Sequence, residues 1–317
     1  MRKNVQRTQG FTLVELLVVI ALIGIVSTLV IVMLGSSQQE AAETANIANL
    51  ERLVSAIQTY RAMNGNRLPD RFDSLIRSDA DTGLAADQSI QIGFNTQDFL
   101  YTGSALTKVL YSGTDVDDDG VADAGAKLLG LHPHNTTGFG NSLAVARLLP
   151  SDVDALREVG ITTVYDIDPS RDAFHGNPYY IERTLAAGDY VAIVNPMAAR
   201  NGQGVYRSFG VDLSNTDTYP RAATGDLNDA GIAAALQAKR FFVFGIGPNT
   251  TWVGNQRSGL QQAPECHIVS DGYYDRYFLV VGMPGGPNDA TPPYPAGILD
   301  ATGKTPEGAA SWASRTQ

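Results

Sequence analysis

Between Phe11 and Leu34 the chain almost loses its polar positions. Across FTLVELLVVIALIGIVSTLVIVML every side chain is apolar or small except Glu15. At about 1.5 Å per residue these roughly 24 residues make a helix of about 36 Å, enough to cross a bilayer core of about 30 Å. After GSSQQEAAETAN the pattern changes. Ile47, Leu50, Val54, Ile57 and Tyr60, with Leu53 beside Val54, recur at three and four, the helical period with one buried stripe. Asn64-Gly65 supplies the stop. A single helix from about Phe11 to Met63, about 80 Å long, is therefore predicted.

Beyond it the pattern favours short strands. VYRSFGVDL, DYVAIVNP, KRFFVFGIGP and RYFLVVGMP are β-branched or aromatic runs closed by Gly, Pro or Asn. SDVDALREVGI opens with an Asp or Ser cap and carries Val153, Leu156 and Val159 at helical spacing, and LNDAGIAAALQAKR predicts another helix. Strands without regular βαβ alternation predict an α+β fold with an antiparallel sheet. Gly282 to Gly297 is too rich in Gly and Pro for either element and is expected to be an extended loop, and the last 15 or so residues a loose tail. No internal repeat is visible.

Charge orients the apolar run. Arg2, Lys3 and Arg7 precede it without an acid, which holds the N-terminus in the cytoplasm and sends the rest outward. The run exceeds the apolar core of about 7 to 15 residues of a secretory signal, and Gly35-Ser36-Ser37 is a poor cleavage site. A plain N-terminal anchor fits better, but neither accounts for Glu15. An ionised carboxylate facing lipid costs several kcal/mol, so Glu15 either lies wet at the cytoplasmic interface or awaits a cation. The best placed cation is the α-amino group created by a cut before Phe11.

These residues bring a family into view. QGFTLVELLVVIALIGIV, with Gly10 before an aromatic, Thr12-Leu13 next and Glu at the fifth position after the Gly, resembles the class III signal of type IV pilins and type II secretion pseudopilins. The resemblance implies that a prepilin peptidase cuts after Gly10, that Phe11 becomes a methylated N-terminus, and that Glu15 pairs with the N-terminus of a neighbouring subunit. It also implies a pilin-like fold, in which the helix is first a membrane anchor and then the core of a filament. AIQTYRAMNGNRLPDRFDSLI resembles the pseudopilin pattern of helix end, Tyr, Asn-Gly, Pro and a short Leu-containing helix. Glu15 argues against the tip subunit of the secretion family, which typically lacks it.

Composition narrows the picture. The formal charge is −10, and loss of the basic leader takes Lys plus Arg from 23 to 20 against 33 acids, a balance of −13. Nucleic-acid binding is disfavoured. The single cysteine, Cys266, forbids any disulfide within the chain, including the C-terminal disulfide loop of many true type IV pilins, and so favours a pseudopilin. With His267 beside it, Cys266 invites a thiol or metal role, but in the alternation of CHIVSDGYYDRYFLVVGM a strand-edge position accounts for it better.

The strongest local constellation is DVDDDGVAD. Asp115, Asp117, Asp119, the Val121 carbonyl and Asp123, with Gly120 at the sharp turn, match the oxygen-ligand spacing of a Ca²⁺ loop. Ala126 stands where an EF-hand has its twelfth-position Glu, so the loop resembles the shorter acidic loops of thrombospondin type 3 and dockerin-like modules. The plain reading is a solvated acidic turn. Secretion pseudopilins use calcium in their globular domains, which by resemblance favours Ca²⁺. His132 and His134 flank Pro133 in a turn with no third ligand in sight. No G-x-S-x-G, H-E-x-x-H, Walker loop, G-x-G-x-x-G or C-x-x-C is present, and the chain does not read as an enzyme.

The chain is thus expected to comprise a basic leader at 1–10, a transmembrane and assembly helix at 11–63, and an extracytoplasmic globular domain at 64–317 that carries the acidic loop 115–123 and the loop 282–297. The family resemblance makes it a single-pass inner-membrane protein, N-terminus cytoplasmic and domain periplasmic, that assembles with other pilin-like subunits. A surface pilus subunit or adhesin, and a membrane-anchored periplasmic binding protein or enzyme, are the alternatives.

Overall fold

The computed structural model describes residues 13–77, 89–92, 97–100, 143–168, 179–196, 205–223, 225, 227–254, 260–269, 274–284 and 291–306. The chain divides into two compact units, Met1–Thr44 and Ala45–Gln317. The fold is mixed α+β with an antiparallel-rich sheet, as expected.

Helix α1 runs unbroken from Leu13 to Met63, 51 residues. Within the second unit its buried line is Asn46, Leu50, Leu53, Ile57 and Tyr60. That line steps by four, three, four and three, as one helix face requires. Ile47 and Val54, expected on the stripe, are only partly buried at its flanks. The helix ends as the sequence predicts: Gly65 and Asn66 take φ of 65° and 67°, and Asn66 N donates to Arg61 O at 2.8 Å.

The segment after Pro69 corrects one expectation. Phe72–Arg77 is a strand, β1, and not a short helix. Phe72, Leu75 and Ile76 sit at helical spacing, yet all five residues from Phe72 to Ile76 are buried. A strand covered on both faces shows no alternation. Leu75, at φ 63°, lies within a register shift of β1, which lets a strand carry that spacing.

The remaining strands are β2 (Ser89–Ile92), β3 (Gln97–Leu100), β4 (Leu143–Arg147), β5 (Thr163–Asp168), β6 (Tyr179–Thr184), β7 (Tyr190–Val194), β8 (Arg240–Gly245), β9 (Phe278–Met283) and β10 (Tyr294–Leu299). They form one sheet in which all pairings are antiparallel except β1 with β5. β8 is its branch point. β9 takes one edge of β8 from Arg240 to Gly245; the other edge holds β7 at Phe242 and Val243 and β1 at Gly245. One arm continues from β7 through β4 and β3 to β2, the other from β1 through β5 to β6. Every residue of β8 and β9 is buried, which makes this pair the floor of the core.

Helix α2 (Pro150–Val159) buries Val153, Leu156 and Val159 as expected. Its cap differs from expectation. Leu149 is the N-cap, Pro150 opens the first turn, and the Asp152 carboxylate accepts the Leu149 N–H at 2.9 Å. Gly160 closes the helix at φ 104°. Helix α4 (Asp229–Ala238) is the second expected helix; Asn228 caps it, accepting from Gly231 N at 2.9 Å.

Two expectations fail near the C-terminal half. VYRSFGVDL is not a strand: Val205–Ser208 forms a single helical turn, α3, closed by Gly210 at φ 83°. Tyr206 drives it, buried edge-on against Phe241 at 5.0 Å. The expected loop Gly282–Gly297 is strand at both ends, because Gly282 belongs to β9 and Tyr294–Leu299 to β10. Among the described residues β10 pairs only with β9, so Pro295 on that edge strand interrupts little, and its register shifts between Pro295 and Gly297. Of the expected tail, Gly303–Pro306 is described and Thr305 is buried.

Candidate functional site

The N-terminal turns of α1 are apolar on every described side. The nine large apolar residues described between Leu13 and Ile23 are 44–80% exposed. A helix greasy all round is stable where lipid or other apolar helices surround it, and each such side chain gains about 1.5–3 kcal/mol on full burial. Among the described residues no helix is long and apolar enough to cross a membrane. Side chains from residue 25 to residue 40 fall outside the described ones, so the length of the apolar run rests on the sequence. Glu15 stands in the first turn of α1, and its side chain, like Gly10 and Phe11, lies outside the described residues.

The C-terminal half of α1 is tied to the sheet domain by polar groups as well as by its stripe. Asn46 Nδ2 donates to Asp300 Oδ2 at 3.1 Å, and Cys266 Sγ donates to Asn46 Oδ1 at 3.4 Å. Asp300 is fully buried, and its Oδ1 also accepts from Thr302 N, Thr302 Oγ1 and Lys304 N at 2.7–3.0 Å. A buried carboxylate with four donors is satisfied, so the cluster fixes the helix to the turn after β10. Burial pushes the Cys266 thiol up to about 11. That thiol is held as an inert core group, and no nucleophilic role follows. His267 is exposed, its Nδ1 3.2 Å from the Glu265 carbonyl oxygen.

Two further buried networks brace the sheet. Ser74 Oγ donates to Asp166, whose carboxylate is gripped by the Arg183 guanidinium, which also reaches Asp189. Arg240 pairs with Asp152 at 2.8 Å and donates twice to Pro284 O. Asp152 thereby caps α2 and neutralises Arg240 together. Alongside α1 lie two open grooves. One, of about 540 Å³, runs between Asn49, Arg52, Leu53 and the 260–267 segment. The other, of about 350 Å³, runs between Glu51, Val54, Phe209 and β10.

The residues expected to bind calcium, Asp115, Asp117, Asp119, Val121 and Asp123, lie outside the described residues, as do His132 and His134. Among the described residues no group of three or more His, Cys, Asp or Glu is placed to hold a metal ion. The structure brings together groups of which sequence reasoning had singled out Cys266 alone: Asn46, Asp300 and Cys266 at the helix, and Asp73 with Tyr274 at the sheet branch. Asn46 carried a usable signal, standing four residues before Leu50 on the stripe. Asp300 carried none.

No curated protein and no solved structure matches the chain. Residues 6–31 match the family described as the prokaryotic N-terminal methylation motif. The matched span contains Gly10, Phe11 and Glu15 in the register already noted. It supports processing by a prepilin peptidase and a chain that is membrane-anchored or exported. At the level of the family, then, this chain carries the N-terminal signature of type IV pilins and pseudopilins.

Proposed function

We infer that the protein is a pilin-like structural subunit of the type II secretion pseudopilin kind. Its leader is removed after Gly10, Phe11 is methylated, and the subunit leaves the inner membrane to join a periplasmic filament with other pilin-like subunits. Its work is packing, without a catalytic step. The observation that carries this reading is the methylation motif at residues 6–31. Support comes from the unbroken helix Leu13–Met63 and its apolar exposed side chains. A buried single Cys266, unable to make a disulfide loop, favours the secretion kind over a surface pilus.

In this reading Glu15 offsets the cost of burying a neighbour's charged N-terminus among apolar helices; a charge left unpaired there is strongly destabilising. The acidic loop from Asp115 to Asp123 binds Ca²⁺ in the periplasm, where the cation screens five carboxylates that otherwise repel one another. Replacement of Glu15 by Val separates processing from assembly. The variant should be cleaved as efficiently as the wild type yet be missing from sheared or cross-linked filaments. Incorporation of Glu15→Val at wild-type levels would refute the role given to Glu15. An uncleaved wild type, absent from any filament, would remove the reading itself.

A further inference from the structure

Where β1 meets β8 the two arms of the sheet are joined by one residue pair, Asp73 opposite Gly245. Asp73 is fully buried. The Tyr274 hydroxyl donates to its Oδ2 at 2.6 Å, while Oδ1, equally buried, has no hydrogen-bond partner among the described residues. The pair is seated on glycines. A Cβ on Gly247 would stand 2.2–2.4 Å from the Asp73 carboxyl atoms, and one on Gly245 would stand 2.2 Å from the Tyr274 hydroxyl. Phe244-Gly245-Ile246-Gly247 thus forms a socket whose shape admits the carboxyl and the phenol but no further group.

The surroundings supply little compensation for a negative charge. Among the described residues no Lys, Arg or His lies within ion-pair distance of Asp73. The charged and titratable groups that interact with it are the Tyr274 and Tyr180 hydroxyls and, at longer range, Arg276; Asp275 acts on Tyr180. Arg276 is itself shared with Glu265 and Asp275, each at 3.9 Å. From β5, Asp166 faces Ser74 rather than Asp73 and is held by Arg183. An ionised carboxylate needs several donors when buried, and Asp73 has one. Burial accordingly pushes its pKa up to about 7, against the smaller opposing pull of the Tyr274 bond and Arg276.

We propose that Asp73 is a proton-operated latch: neutral, it closes the joint between β1 and β8, and ionised, it loosens that joint and the arm β1–β5–β6 behind it. Because β1 follows directly on α1, the same latch governs how firmly the C-terminal half of the helix is joined to the sheet. The stabilisation is complete below the ordinary carboxylate value near 3.8 and is lost as pH rises through about 7.

The test compares urea unfolding of the full chain in detergent with that of Asp73→Asn, which keeps the shape of the neutral carboxyl. With the wild-type pKa at about 7 and an unfolded value of 3.8, its unfolding constant should rise relative to the variant roughly fifty-fold from pH 5 to 7 and level off by about pH 8. Parallel curves for the two proteins overturn the proposal. If Asp73→Asn does not fold, the wild type alone decides the matter by infrared spectroscopy: a buried protonated carboxyl band should be present at pH 5 and absent at pH 9, and its absence at pH 5 is fatal. Tyr274→Phe removes the donor that holds the pKa down and should move the loss of stability to higher pH. A move to lower pH contradicts the account.

Discussion

Asn46 and Asp300 show how much of the domain's attachment rests on single buried polar groups 254 residues apart in the chain. Asn46→Ala removes one of four donors to a fully buried carboxylate, and unfolding should become easier by about 1–3 kcal/mol. Chemical denaturation checks it; a variant as stable as the wild type would mean water replaces the amide at no cost. Cys266 makes a second prediction. With its thiol pushed up to about 11 and buried, it should resist thiol reagents at pH 8 in the native chain and react at once in the denatured one; equal rates would contradict the packing. Gly247→Ala should destabilise by about 1–3 kcal/mol through overpacking against Asp73. Of these roles the sequence hinted only at those of Asn46, by its place on the stripe, and Cys266, by its apolar surroundings. An Asn or Asp among apolar neighbours signals burial only when its position on a face is known, and Asp300 owes its burial to a turn whose partners come from α1.

At the scale of elements, legibility followed the strength of the local pattern. The second half of α1, α2, α4, β7, β8 and β9 were readable because their apolar spacing and their Gly, Pro or Asn ends agree. β1 and α3 were not. In β1 a left-handed Leu75 and burial on both faces reproduce helical spacing within a strand. In α3 the anchor is Tyr206, which a β-rich composition assigns to a strand until Phe241 is known to lie beneath it. β10 was hidden by its Pro and Gly, which an edge position tolerates. The stripe of α1 is the element on which the domain's core depends. Leu50→Ala, at a fully buried position, should cost about 2–5 kcal/mol, measured as a lower denaturation midpoint. A loss below 1 kcal/mol would mean that the helix contributes little to that core.

For the whole molecule, the apolar N-terminal run and the methylation motif were readable from the residues alone, because a basic leader, Gly10, an aromatic, Glu15 and a long greasy stretch are fixed in one register. The branching of the sheet at β8 was not, since three partners for one strand arise from pairings among residues as distant as Asp73, Ala192 and Val280. Calcium belongs to this scale too. Added Ca²⁺ should raise the melting temperature of the full chain, and Asp117→Ala with Asp119→Ala should abolish the rise; an equal rise in that variant would place the ion elsewhere. The central claim is processing at Gly10, and the most direct measurement is the intact mass of the protein from membranes with and without its prepilin peptidase. The account predicts a chain that begins at Phe11 and carries one added methyl when the peptidase is present, and the full-length chain when it is not. A full-length chain in both samples would contradict it and leave the protein an anchored chain whose Glu15 has no assembly role.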